Sequence, residues 1–236
     1  MSAINPRETL DRALQELLDE ILVLGSMVEE AVKASVIALK QRDLSASEKI
    51  YAADDRINEK HFEIEDRCIT LIATQQPMAK DLRTLAEVIE ISTELERMGD
   101  YAKGVAKINI LLGSEPLIKP LIDIPRMADL STDMLHRSLS AFVARDVEAA
   151  RKIPQEDDQI DGLYNQVYRE LVTYMIADTS TIDRANFLLW AAHNLERLAD
   201  RVTNICERTI YMATGEMREL DRSDDELLHI EKKYKQ

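Results

Sequence analysis

The string LERMGD occupies residues 95–100, and LERLAD occupies residues 195–200. A carboxylate–arginine–carboxylate phrase written twice, with only Met/Leu and Gly/Ala changed, points to a duplicated unit. Duplication restricts the fold of this chain more than any other feature. The agreement extends outward. ELERMGDYAKGVAK (94–107) aligns with NLERLADRVTNICE (194–207), and KIYAADDRIN (49–58) aligns with KIPQEDDQID (152–161). The offset is 100 for the first pair and 103 for the second, so a shorter loop in the second copy absorbs the difference.

Prolines mark the joints. They stand at 6, 77, 116, 120, 125 and 154, and three of them crowd into GSEPLIKPLIDIP, residues 113–125. That segment divides the chain into a first repeat (1–115), a second repeat (116–215) and a polar tail (216–236). RDLSASE at 42–48 offers Asp43 as a helix N-cap, with Ser45 and Glu48 as an alternative capping box, and RDVEAA at 145–150 offers Asp146. Pro77 suits the first position of a helix, and TSTIDR (179–184) opens the equivalent helix with Ser180 and Asp183. Each half therefore reads as three long helices, roughly 8–42, 44–75 and 77–112, then 123–145, 147–177 and 181–214. The fold class is all-α, a tandem of two three-helix bundles. Six glycines and six prolines are too few for a turn-rich β fold, and 5% aromatic content leaves a mainly aliphatic core.

Lys and Arg total 30 against 44 Asp and Glu, a net charge of −14. Such a surface repels nucleic acid and anionic membrane and favours cations or basic protein surfaces. Cys68 and Cys206 lie in helical stretches at non-equivalent positions and read as reduced, buried thiols. The polar, acidic N-terminal stretch is unlike a signal peptide, and no apolar run approaches the roughly 18 residues of a membrane span. These features suit a cytoplasmic protein.

In the third helix Val88, Ile91, Leu95, Met98, Ala102 and Val105 recur in steps of three and four. Leu188, Ala191, Leu195, Leu198, Val202 and Ile205 repeat the stripe. Glu96 and Asp100, like Glu196 and Asp200, fall one residue past that stripe, about 100° around the helix, on a flanking face. In the second helix the apolar line runs Ile50, Ala53, Ile57, Ile64, Cys68 and Leu71, again with Asp54 and Asn58 one step beyond, matched by Asp157 and Asp161. Like charges four apart cost a helix about 0.2–0.5 kcal/mol per pair. The plainer reading is a solvated acidic face. The sharper one, which the repetition favours, is a scaffold for cations.

With these motifs the chain resembles the PhoU family over residues 8–215, most specifically in LERMGDYA, NLERLADRVTNICE and the DDRIN/DDQID pair. The resemblance implies two three-helix bundles whose third helices carry an acidic motif able to bind metal ions. It carries over to Glu96 and Asp100 and to Glu196 and Asp200. Asn204 and Glu207 match its longer form, whereas Gly104 and Lys107 do not, and Asn58 stands where the family has Asp. The second site is therefore the stronger on this reading. Its ligands would be Asp157, Asp161, Glu196, Asp200 and Asn204, with Asp54, Glu96 and Asp100 forming the weaker one. Oxygen ligands suit Mg, Mn, Ca or Fe, and His193, three residues before Glu196, would shift the second site toward Fe, Zn or Mn. His61, His136 and His229 lack such a setting. The resemblance also implies a homodimer and a negative regulator of phosphate uptake, acting between the ATPase of the phosphate ABC transporter and a sensor histidine kinase. No phosphate-binding loop, dinucleotide fingerprint or nucleophile–His pair suggests an enzyme. The alternative, a carboxylate-bridged di-iron enzyme, needs two Glu-x-x-His motifs facing the core, and only ELLH (226–229) has that form.

Overall fold

The computed structural model describes residues 6–217, 219 and 220; ELLH and His229 lie outside them. Six long helices dominate: α1 (Pro6–Gln41), α2 (Leu44–Gln75), α3 (Lys80–Leu112), α4 (Asp123–Ala144), α6 (Asp157–Ala177) and α7 (Ile182–Thr214). A short α5 (Val147–Lys152) precedes α6. In the first bundle α1, α2 and α3 pack on one another; in the second α4, α6 and α7 do so, with α5 against α4 and α7. None of these helices is long and apolar enough to cross a membrane.

The duplicated hairpins are built alike. Asp43 and Asp146 are N-caps, their side chains accepting the amide hydrogens of Ala46 (2.9 Å) and Ala149 (3.0 Å). Arg42 and Arg145 precede them at φ 57° and 56°, left-handed turns that are costly for a residue with a Cβ. Arg42 offsets that cost by donating to the Asn109 side chain, to the Gly113 carbonyl (2.7 Å) and to the Glu115 carbonyl (3.0 Å). Arg145 donates to the Thr84 hydroxyl (3.2 Å).

Three boundaries differ from the sequence expectation. The helix expected over 147–177 is broken by a 3₁₀ turn, Ile153–Glu156. Pro154 lacks the amide hydrogen and clashes with the preceding turn, so α6 starts afresh at Asp157. Pro77 lies outside α3, which begins at Lys80 after Gln76 and Ala79, both at positive φ. Asp178, rather than Ser180 or Asp183, caps the turn before α7 by accepting the Ser180 amide hydrogen (2.9 Å).

Both third-helix stripes are buried as the periodicity requires. The α2 stripe is buried as expected at Ile57, Ile64 and Cys68 but not at its start. Ala53 is exposed, and the buried line runs Ser47, Asp54, Ile57, His61, Ile64 and Cys68. Asp54, 2% exposed, therefore sits in the seam and not on a flanking face. Gly99 makes that approach feasible, because a Cβ there would stand 3.0 Å from Ile57 Cγ2.

One continuous core joins the bundles, through α1 against α4 and α3 against α7. Helices α3 and α7 run antiparallel. Arg83 meets Tyr211, Glu87 meets Arg208, Glu94 meets Asn204, Arg197 stacks on Tyr101, and Asn194 lies against Gly104. Equivalent positions of the two repeats thus approach one another about a pseudo-twofold axis.

Candidate functional site

In the first bundle Asp54 comes from α2, and Glu96, Asp100 and Lys103 come from α3. Lys103 Nζ donates to Asp54 Oδ2 at 2.7 Å and stands 4.0 Å from Asp100 Oδ1 and 5.3 Å from the centre of the Tyr51 ring. Asn58 also donates to Asp54 Oδ2, at 3.4 Å, while the buried Asp54 Oδ1 has no hydrogen-bond partner. Burial, then Asp100, raises the Glu96 pKa above the ordinary carboxylate range; burial, then Asp54, raises that of Asp100 while Lys103 opposes. The hydrogen bond to Asp54 raises the Lys103 pKa, so the ammonium is fixed as a cation. Beside this cluster lies a mainly apolar cavity of about 240 Å³ lined by Met27, Ala31, Ile50, Ile57, Gly99 and Lys103, among others.

In the second bundle Asp157 and Asp161, in the first turns of α6, face Glu196 and Asp200 of α7 across a cleft of about 1060 Å³. The break at Pro154 places Asp157 at a helix start, where the backbone dipole favours negative charge. Burial, then Asp200, raises the Glu196 pKa, with Asp161 adding to the effect and His193 opposing it. His193 Nδ1 lies 3.0 Å from Glu196 Oε2, yet that buried oxygen has no well-aligned hydrogen-bond donor. Thr203, neutral and buried, stands where the first bundle has Lys103.

The structure thus brings together every proposed second-site carboxylate. His193 borders the cluster through Glu196. Asn204 lines the cleft but donates its amide to Glu94 Oε2 (3.2 Å) across the seam. Glu207 accepts the backbone N–H of Leu220 (2.5 Å), which folds back toward the cleft. Among the described residues no three His, Cys, Asp or Glu side chains converge on one point at ligand spacing; the acids line a cleft and do not clasp a point. The donor set still fits a hard, hydrated cation through its four carboxylates and room for coordinated water, with Arg151, Arg197 and Arg201 also on the cleft wall. The first cluster fits poorly. A dication 4 Å from the Lys103 ammonium would meet a repulsion of about 8 kcal/mol at an effective dielectric constant near 20.

Lys103 escapes the sequence reading, and His61 is set aside by it. Lys103 lies three residues after Asp100, on the same face, and that spacing alone could have flagged it. His61 follows Asp54 by seven residues on the buried line; its Nδ1 is 3.0 Å from Ser92 Oγ, and its charge would lower the Glu96 pKa.

The paired bundles, equivalent acid clusters and pseudo-twofold seam can be set against known proteins. The PhoU domain model matches residues 21–108 and 124–209, one match per bundle. The chain belongs to the PhoU family. It is 37% identical over 216 residues to the phosphate-specific transport system accessory protein PhoU homolog of Clostridium acetobutylicum, covering 91% of this chain and 99% of the relative. The homolog of the same name from Aquifex aeolicus is 36% identical over 208 residues, covering 88% and 94%. The crystal structure of the phosphate transport system regulatory protein PhoU from Streptococcus pneumoniae superposes with a TM-score of 0.82 at 34% identity, covering 89% of this chain and 99% of that one. PhoU from Pseudomonas aeruginosa gives 0.82 at 31% identity, covering 87% and 99%. As a PhoU fold the chain has no Glu-x-x-His string among its described residues, and Glu196 and Asp200 line a cleft, so nothing in the arrangement favours a di-iron enzyme.

Proposed function

We propose that this PhoU-family chain is a non-enzymatic accessory protein of phosphate-specific transport and a negative regulator of phosphate uptake and signalling. It acts in the cytoplasm as a homodimer, by protein–protein contact between the transporter's ATPase and the phosphate sensor histidine kinase. The observation that carries this reading is the family match to both bundles, with relatives named as transport accessory and regulatory proteins. The second acid cluster, Asp157, Asp161, Glu196 and Asp200 with His193 and Asn204 at its edge, is a cation centre for Mg, Mn, Fe or Zn. A bound ion would draw the two helices together by neutralising like charges, which stiffens the cleft without opening the apolar core.

The test is a pull-down of the ATPase and the kinase by the purified chain, beside light scattering at micromolar concentration. Capture of both partners and a mass about twice 26.9 kDa support the reading. A monomer that captures neither contradicts it.

A further inference from the structure

The two acid clusters occupy equivalent places, yet five substitutions between them reduce the cation appetite of the first, although Arg151 and Arg201 of the second cleft are matched by Glu48 and Tyr101. Asn58 replaces a carboxylate found at Asp161, and Thr93 replaces the imidazole of His193. Gly104 and Lys107 stand for Asn204 and Glu207, and Lys103 stands for Thr203. Of these, Lys103 acts directly. Its Nζ is 2.7 Å from Asp54 Oδ2 and 4.0 Å from Asp100 Oδ1, the gap between helices that a bridging cation would fill. Asp54 is 2% exposed and lies on the buried line of α2, so its charge needs a permanent partner.

We infer that the Lys103 ammonium is a built-in cation that ties α2 to α3 in place of a metal ion, so that a divalent ion enters the second cluster alone. A tethered ammonium needs no dehydration from bulk and no supply of metal. A dication reaching Asp54 would have to displace it and then share the cluster with the displaced charge. The first bundle is thereby constitutively fastened, and only the second responds to ions. The role of Lys103 stands on the first cluster's own geometry; the single responsive site also rests on the cation centre proposed above.

The test is removal of the ammonium. Wild type, Lys103→Thr, which supplies the residue of the second bundle, and Lys103→Gln, which keeps a neutral donor, are titrated with Mn²⁺ by calorimetry and melted with and without Mn²⁺. One additional Mn²⁺ per chain in the variants is expected, with a larger Mn²⁺-induced rise in melting temperature than in wild type. Adding Asp54→Asn to either variant should abolish the extra ion, while Asp54→Asn alone should leave the wild-type stoichiometry unchanged. Variants that remain folded and bind no more Mn²⁺ than wild type overturn the inference, as does a wild type that loses an ion on Asp54→Asn. If wild type binds none and the variants bind one, the role of Lys103 stands and the second-cluster cation centre falls.

Discussion

The two bundles share a repeat but treat the same problem differently. In the first, an ammonium is anchored to the buried Asp54 and flanked by Asp100, beside a small apolar cavity. In the second, four carboxylates face one another across a wide polar cleft with a neutral threonine where the lysine would be. The difference teaches that a duplicated acidic motif need not be a duplicated site. One copy holds an ammonium against a buried aspartate, and the other opens its acids onto a wide cleft. The backbone follows suit: α2 runs unbroken past Asp54, whereas Pro154 restarts the helix at Asp157.

The comparison is broken most forcefully at the lysine. Lys103→Ala strips the buried Asp54 of its charged partner and should cost about 2–3 kcal/mol in urea unfolding without metal. Thr203→Ala, at the equivalent place, should cost about 1 kcal/mol. Similar losses would show that the ammonium does not fasten the first bundle.

The seam between the bundles is asymmetric too. Glu87, 2% exposed, has Arg208 Nε 3.8 Å from its Oε2, where the equivalent residues are Phe187 and Ile108. Burial pushes its carboxyl up to about 7. A carboxyl raised in the folded state keeps its proton more tightly there, so the penalty is absent below about 4.5 and complete above about 7. Glu87→Gln should therefore match wild type near pH 4.5 and exceed it at pH 8 by up to about 3 kcal/mol in denaturant melts. A pH-independent difference would mean the seam does not strain this group.

A smaller effect sharpens the contrast between α2 and α6. Gly162 is an exposed helical glycine with open space around its Cβ position, and α2 has Glu59 there. Gly162→Ala should raise stability by about 0.5–1 kcal/mol, seen as a shift in the urea midpoint. No gain would contradict the reading that this glycine sits in open space.

Much of this was legible in the sequence. The repeat, the linker, the caps Asp43 and Asp146 and the third-helix stripes all depend on local chemistry and periodicity. Pro154 is legible as well, as a proline inside the span 147–177, and it marks the break before α6. The line of α2 holds at Ile57, Ile64 and Cys68 and departs at its start, where apolar periodicity favours Ile50 and Ala53. The seam instead takes Asp54 and His61, polar residues whose burial depends on partners in α3, namely Lys103 and Ser92. Contacts across the seam, such as Asn204 with Glu94, join residues 110 apart and follow no local pattern.

The account turns on the claim that the second cluster, and not the first, takes up a cation. Its most direct test is Mn²⁺ titration of wild type, Asp200→Asn and Asp100→Asn by calorimetry. The account predicts that Asp200→Asn weakens binding by about tenfold or more, about 1.4 kcal/mol, while Asp100→Asn leaves affinity and stoichiometry unchanged. Binding damaged equally or more by Asp100→Asn, or no binding by wild type, would contradict it.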